Sequence, residues 1–184
     1  MKTSVRSIAL ACAITWALAA GQRAEAQPRP AAPGAKAASP DAPFIGTAAM
    51  DGLAEIEHGR LATRNASSPG VKRFAQRMVD DHQKTGGELK ELASRKEVTL
   101  ATKLDDQHQA RQDDLAKLTG AAFDQAYMAR MVEAHLQAVA LFQQEVKKGQ
   151  DPDVKAWAAK TLPMIQEHVK LASSINASLS KTGK

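Results

Sequence analysis

The stretch GAAFDQAYMARMVEAHLQAVALFQQEVKKG, residues 120–149, decides the fold of this chain. Its apolar residues recur every three or four positions, which is the period of an α-helix with one buried face. That face carries Phe123, Tyr127, Met131, His135, Ala138, Leu141 and Phe142. Thr119-Gly120 precedes the pattern and Gly149 ends it. A helix of this length with a single apolar face depends on packing against other helices, so the stretch predicts a helical bundle.

Four other segments share the helical period, and none of the chain beyond residue 44 alternates with the period of a strand. Three are long and one is a shorter amphipathic segment; they are 44–66, 69–95, 105–118 (the short one) and 152–179. Ser68-Pro69 and Asp151-Pro152 have the pattern of an N-cap residue followed by proline at the first helical position. The turns at 67–68 and 150–151 are short, and the connection from 96 to 119 is long. This pattern predicts an all-α, ferritin-like antiparallel four-helix bundle whose long crossover carries the short helix.

Residues 1–26 have the layout of a secretory signal peptide. Lys2 and Arg6 precede an apolar run of 13 residues, and Ala24-Glu25-Ala26 offers small residues for cleavage. Thirteen apolar residues are too few to span a membrane, which takes about 20. We therefore expect removal of this segment rather than its retention as an anchor, no transmembrane segment afterwards, and a location in the periplasm or cell envelope.

The composition divides the rest of the chain. Residues 27–43 hold five of the eight prolines and predict a disordered spacer in front of a bundle at 44–184. The formal charge of +5 comes mainly from the ends, because residues 44–184 carry only about +2. This balance does not indicate nucleic-acid binding, and it leaves an envelope protein or a cell-wall component as the expected partner. The single cysteine, Cys12, lies in the signal segment, which excludes disulfides and multi-cysteine metal sites from the exported chain.

One short pattern repeats on three of the predicted helices. Each copy reads Met-[Val/Ile]-x-x-His, and the copies are Met78–His82, Met131–His135 and Met164–His168. Each histidine lies on the apolar face and near the midpoint of its helix, as Glu55 does on the first helix. Helices packed in register would therefore bring four side chains into one central layer, namely Glu55, His82, His135 and His168.

This layer has three interpretations. In the first, Glu55 accepts hydrogen bonds from the histidines in a buried network that fixes helix register. In the second, one carboxylate and three imidazoles bind a transition metal, Zn, Cu or Fe, and the three methionines favour copper. In the third, a histidine cluster beside a carboxylate titrates near neutrality and senses pH. The usual di-iron site of ferritin-like proteins is not indicated, because Val79, Val132 and Ile165 stand where its Glu-x-x-His motifs need glutamate.

Other polar residues give weaker signals. His58 and His108 are predicted to be solvated, and Glu57 competes with Glu55 because it lies on a neighbouring stripe of the first helix. Asp124, in the first turn of its helix, is predicted to interact favourably with the helix dipole. The sequence contains no Ser-His-Asp or Cys-His arrangement, P-loop or dinucleotide motif, so it names no catalytic residue and favours binding over catalysis.

Together these residues resemble a bacterial family of exported proteins classed as domain of unknown function 4142. The resemblance covers about 44–176 and includes the four residues of the predicted layer. The others that carry it are Ile56-Glu57, Gly59-Arg60-Leu61-Ala62, Val71-Lys72-Arg73-Phe74-Ala75, Met78, Asp81, Gly120, Phe123-Asp124, Tyr127, Met131-Val132, Trp157-Ala158 and Leu162-Pro163. The resemblance implies a ferritin-like fold and an envelope location, but no established activity.

Two functions are consistent with these observations. The first is an exported helical bundle without catalysis that works by binding or interaction in the periplasm or envelope. The second is a metal-binding bundle with redox or storage chemistry. Both the network and the metal interpretation require the four side chains of the layer to converge within ~5 Å.

Overall fold

A computed structural model describes residues 39–182 of the chain. This part contains five helices and no strand, and the helices are α1 (Ala42–Asn65), α2 (Pro69–Arg95), α3 (Asp106–Ala116), α4 (Gly120–Lys148) and α5 (Pro152–Thr182). The predicted all-α, ferritin-like four-helix bundle with a short helix in its crossover is confirmed. α2 and α5 begin at the prolines that the sequence marked as their first residues.

The start of the bundle differs slightly from the predicted boundary. α1 begins at Ala42, two residues earlier than predicted, and Asp41 just before it is buried. The end of the predicted spacer therefore belongs to the bundle. The predicted signal peptide, and residues 27–38 of the spacer, lie outside the described residues. Among residues 39–182, no helix combines the length and the apolar character needed to cross a bilayer.

The bundle consists of two helical hairpins. α1 packs along α2 and α4 packs along α5, and the hairpins meet through contacts of α1 with α4 and of α2 with α5. The short helix α3 lies against α1 and α4. Apolar side chains form two separate clusters, one around Phe74, Phe123 and Tyr127 and the other around Phe44, Phe142 and Trp157. A layer of polar side chains separates the two clusters at mid-length.

Buried carboxylates tie each hairpin to the turn of the other. Asp124, at the start of α4, accepts hydrogen bonds from the Ser67 and Ser68 backbone N–H groups (3.1 and 2.8 Å) and from the Ser67 hydroxyl (2.6 Å). At the opposite end, Asp41 accepts from the backbone N–H groups of Gln150 and Asp151. Asp124 was predicted to act on the dipole of its own helix, but its hydrogen bonds go to the chain entering α2, where free N–H groups need acceptors.

Gly59 sets the close approach of α1 to α2. A Cβ atom added there would lie 2.9 Å from Cγ2 of Val79 and 3.0 Å from the carbonyl oxygen of Ala75. A β-branched side chain and a backbone atom cannot easily give way. The absence of a side chain at Gly59 therefore allows α1 to approach α2 closely.

We expect Gly59→Ala to lower the free energy of unfolding by about 1–2 kcal/mol, because the overpacking cost exceeds the ~1 kcal/mol that alanine gains in helix propensity. Urea denaturation would measure it. Gly86→Ala is the matched control within α2, because nothing lies within 4 Å of a Cβ atom there. It should raise the same free energy by about 0.5–1 kcal/mol. Equal stabilisation by both changes would contradict the close packing at Gly59.

Candidate metal centre

Three histidines from three helices meet at mid-length of the bundle. His82 comes from α2, His135 from α4 and His168 from α5, and one ring nitrogen of each lies within 4.8 Å of those of the other two. The ring centroids are 5.2–5.9 Å apart. His168 is 0% and His135 2% exposed, so the cluster lies in the interior. No other group of three or more His, Cys, Asp or Glu side chains in the described chain has a metal-binding arrangement.

Hydrogen bonds occupy one nitrogen on two of the rings. Nδ1 of His135 lies 2.9 Å from the carbonyl oxygen of Met131, and Nε2 of His168 lies 2.9 Å from Oδ2 of Asp81. Each acceptor can only receive a hydrogen bond, so these two nitrogens carry the proton and donate. The remaining buried nitrogens, Nε2 of His82, Nε2 of His135 and Nδ1 of His168, make no hydrogen bond within residues 39–182. His135 and His168 therefore each have a free lone pair on this nitrogen, and neutral His82 has a lone pair on one of its two ring nitrogens.

Burial keeps these imidazoles neutral. It is the main cause that lowers the pKa of His82 to about 3, and the neighbouring His135 and His168 lower it further. Burial likewise lowers the pKa of His168 to about 4, although the hydrogen bond to Asp81 acts in the opposite direction. The pKa of His135 is also lowered by burial. These shifts disfavour the pH-sensor interpretation, since titration near neutrality requires unshifted imidazoles.

Asp81 contacts the histidine cluster, and sequence reasoning did not predict this contact. Burial alone would raise the pKa of its carboxyl group, but hydrogen bonds from His168 and Arg77 outweigh burial and lower it. Its side chain leaves α2 one residue before His82 and reaches across to α5. Asp81 lies about 100° around α2 from His82, and the adjacent helix brings His168 to it. A carboxylate that holds a histidine in one tautomer is the usual outer partner of a metal-bound imidazole.

Glu55 is not a member of this group. The residue of α1 nearest the level of His82 is Gly52, where an added Cβ atom would lie 3.7 Å from Nδ1 of that histidine. Glu55 follows about one turn later, buried and with Oε2 unpartnered within the described chain. Burial, and then the nearby Asp51, raise its pKa to about 8. The requirement that four side chains converge is therefore not met: the three histidines meet without Glu55, which lies about one turn away along α1, so a metal site here depends on the histidines alone.

The burial and contacts of His58, His108 and Glu57 also differ from those predicted. His58 is 5% exposed rather than solvated, and burial lowers its pKa to about 4. Its position three residues after Glu55, on the same helix face, was the sequence signal for burial. His108 is also partly enclosed, with Nδ1 2.7 Å from Asp105 and Nε2 3.4 Å from Asp51. Glu57 pairs with Arg60 near the surface and does not compete with Glu55.

Comparisons with known proteins agree with this fold. A DUF305 fragment from Deinococcus radiodurans is similar over 79% of this chain and 99% of its own, with a TM-score of 0.67 and 12% identity. A DUF305 protein from Streptomyces coelicolor whose name describes it as secreted is similar over 77% and 93%, with a TM-score of 0.66 and 16% identity. CopM in its Cu(I)-bound form is similar over 73% and 93%, with a TM-score of 0.61 and 18% identity.

At the level of sequence, a search of curated proteins found no match. Residues 26–175, however, match the profile of one family, described as a domain of unknown function. The matched range includes all three clustered histidines and Asp81. The chain therefore belongs to the DUF4142 family, as the residues of its helices indicated.

Proposed function

We propose that this protein binds a transition metal ion through His82, His135 and His168. Two observations carry the proposal: one ring nitrogen of each histidine lies within 4.8 Å of those of the other two, and each ring has a buried nitrogen that makes no hydrogen bond within the described chain. A buried polar atom without a partner is costly, and three converging on one point are explained by a shared ligand. Imidazole is a ligand of Zn, Cu and Fe, and the Met131 and Asp81 contacts would orient two of the rings.

The charge of the site favours monovalent copper. No carboxylate belongs to the group, so a divalent ion would bring two charges into an interior with no negative ligand. Cu(I) brings one charge, which the outer carboxylate of Asp81 can offset through His168. Iron sites in helical bundles use several carboxylates, which the group lacks. The structural similarity to a protein seen with Cu(I) supports the same choice.

We also propose where this function is carried out. Residues 1–26 would direct export, residues 27–38 would connect the bundle to its surroundings, and the bundle would bind copper in the periplasm or envelope. The protein would hold or pass on the ion rather than catalyse a reaction, with an envelope protein as the natural partner. Loss of the processed form from the periplasmic fraction after deletion of residues 8–20 would support export.

Metal titration of the untagged protein tests the binding proposal. We expect one Cu(I) per chain, measured by competition with a chromophoric chelator under anaerobic conditions, and weaker binding of Zn²⁺. Asp81→Asn should lower copper affinity about 10–100-fold, because the outer partner of a metal-bound histidine contributes that much. Asp80→Asn is the matched control, since Asp80 is exposed and accepts a hydrogen bond from Gln76 of the same helix, away from the cluster. Sub-stoichiometric copper, or equal losses in both variants, would overturn the proposal, and tighter zinc than copper would overturn the choice of ion.

A further inference from the structure

A large cavity runs beside the histidine cluster. Its volume is about 780 Å³, and it lies between the long helices and beneath the crossover connection, with Val98 and Leu100 of that connection forming part of its wall. His82 and His135 also line it. This volume is within the range of sites that hold small organic molecules.

Polar groups without partners occur along this cavity. Its wall includes Oε2 of Glu55 and Nε2 of His58 on α1, and Nε1 of Trp157 and Oγ1 of Thr161 on α5. All four side chains are at least nine-tenths buried, yet these atoms make no hydrogen bond within residues 39–182. A buried polar atom left unpaired costs about 1–3 kcal/mol, so four along one cavity indicate an occupant that pairs with them.

The four groups lie on opposite sides of the histidine cluster. Thr161 precedes His168 by seven residues, which is roughly 10 Å along α5, and Trp157 is one turn farther in the same direction. Trp157 packs against Phe44 at the start of α1, whereas Glu55 lies beyond Gly52 in the other direction, by roughly 4.5 Å. By these offsets Thr161 and Glu55 are about 15 Å apart along the bundle and Trp157 and Glu55 about 21 Å, so the occupant is elongated and has polar atoms at both ends.

The side chains that line the cavity limit the class of ligand that it can bind. Between its polar ends the cavity is lined by apolar side chains, among them Leu89, Phe142 and Ile165. A plain alkyl chain would leave all four polar groups unpaired, and a hydrated ion would leave the apolar wall wet. Trp157 can only donate, so it needs an acceptor oxygen or nitrogen on the ligand. Glu55, held protonated at neutral pH, offers a donor and an acceptor without adding a charge.

We propose that this cavity binds an uncharged aromatic molecule of two or three rings with hydroxyl or carbonyl oxygens at both ends. Trp157 and Thr161 hydrogen bond one end of the molecule, Glu55 and His58 hydrogen bond the other, and the apolar wall encloses the rings. This binding does not depend on the metal, although the molecule would lie beside His82 and His135. The proposal can therefore be tested independently of copper binding.

The test compares two probes of the same shape by calorimetry, using the full chain stripped of metal with a chelator, at pH 6.5. 4′,7-Dihydroxyflavone carries oxygens at both ends, and unsubstituted flavone lacks the two hydroxyls. We expect one dihydroxyflavone per chain, bound at least about tenfold more tightly than flavone, since two buried hydrogen bonds distinguish them. Equal affinities, or no binding of either probe, would overturn the proposal.

Two threonine variants locate the probe. Thr161→Val removes an unpartnered hydroxyl and should weaken dihydroxyflavone about 3–10-fold. Thr85→Val is the matched control, because Thr85 lines the same cavity but its hydroxyl already donates to the Asp81 carbonyl oxygen. It should change the affinity less than about twofold. Trp157→Phe keeps an aromatic ring without the N–H group and should act like Thr161→Val, and circular dichroism checks that each variant is folded. Equal effects of Thr161→Val and Thr85→Val would contradict the assignment of this end of the cavity.

Discussion

Replacing His82 by leucine is expected to abolish tight copper binding while leaving the metal-free protein at least as stable as wild type. The affinity should fall more than about 100-fold, because two of three ligands remain and even an outer partner contributes 10–100-fold. The unfolding free energy without metal should equal or exceed that of wild type. Nε2 of His82 is buried and unpartnered within the described chain, so leucine removes an unpaired polar atom and keeps most of the packing.

This result separates a ligand from a structural hydrogen-bonding residue. If His82 belonged to a buried network that holds the bundle together, its loss would lower the unfolding free energy by about 1–3 kcal/mol whether or not metal is present. Urea denaturation with and without one equivalent of Cu(I) measures the unfolding free energy of the copper-loaded and of the metal-free protein. His108→Leu is the control, since that imidazole pairs with Asp51 and Asp105 outside the cluster and should leave copper affinity unchanged. A destabilised metal-free His82→Leu protein would favour the network.

Glu145→Gln is expected to stabilise the protein at alkaline pH and to have little effect in acid. Glu145 is buried on α4, and burial, followed by the nearby Asp41 carboxylate, raises its pKa to about 7. Because this pKa is higher in the folded than in the unfolded chain, the bound proton stabilises the fold fully below about pH 4.5, and that stabilisation disappears as the pH rises through 7. Glutamine stays neutral throughout, so at pH 8.5 the variant should be more stable by about 2–3 kcal/mol.

Urea denaturation at pH 5 and pH 8.5 measures this difference. At pH 5 Glu145 is protonated in the folded chain and already mostly ionised in the unfolded chain, so the difference between the two proteins should fall below about 1 kcal/mol. Glu133→Gln on the exposed side of the same helix is the matched control and should have an effect below about 0.5 kcal/mol at both pH values. A Glu145→Gln effect of the same size at both pH values would show that the carboxyl group ionises without penalty in the folded chain.

Local features of the fold were predictable from the sequence. Ser68-Pro69 and Asp151-Pro152 fix the starts of α2 and α5, because a proline at the first helical position acts through its own backbone geometry. The three histidines were predicted together for a similar reason, since the period of each helix places them on its apolar face. Their convergence needs only that three long helices pack at similar depth.

The position of Glu55 was not predictable in the same way. How far one helix shifts along another depends on contacts such as Gly59 against Ala75, and no single helix carries that information. The contact between Asp81 and His168 has the same origin, because it joins side chains 87 positions apart on different helices. Sequence reasoning therefore predicted the three histidines that meet in the structure but missed the carboxylate that hydrogen bonds to one of them.

The reciprocal caps of Asp41 and Asp124 have a consequence for the crossover. Each hairpin supplies the acceptor that completes the turn of the other, at opposite ends of the bundle. If one hairpin dissociates, the backbone N–H groups in the turn of the other lose their carboxylate acceptor. A peptide bond cut within the exposed segment 101–103 would thus yield two fragments that stay associated as a pair. In this sense the chain behaves as two complementary halves, and the crossover raises their effective concentration more than it holds their shape.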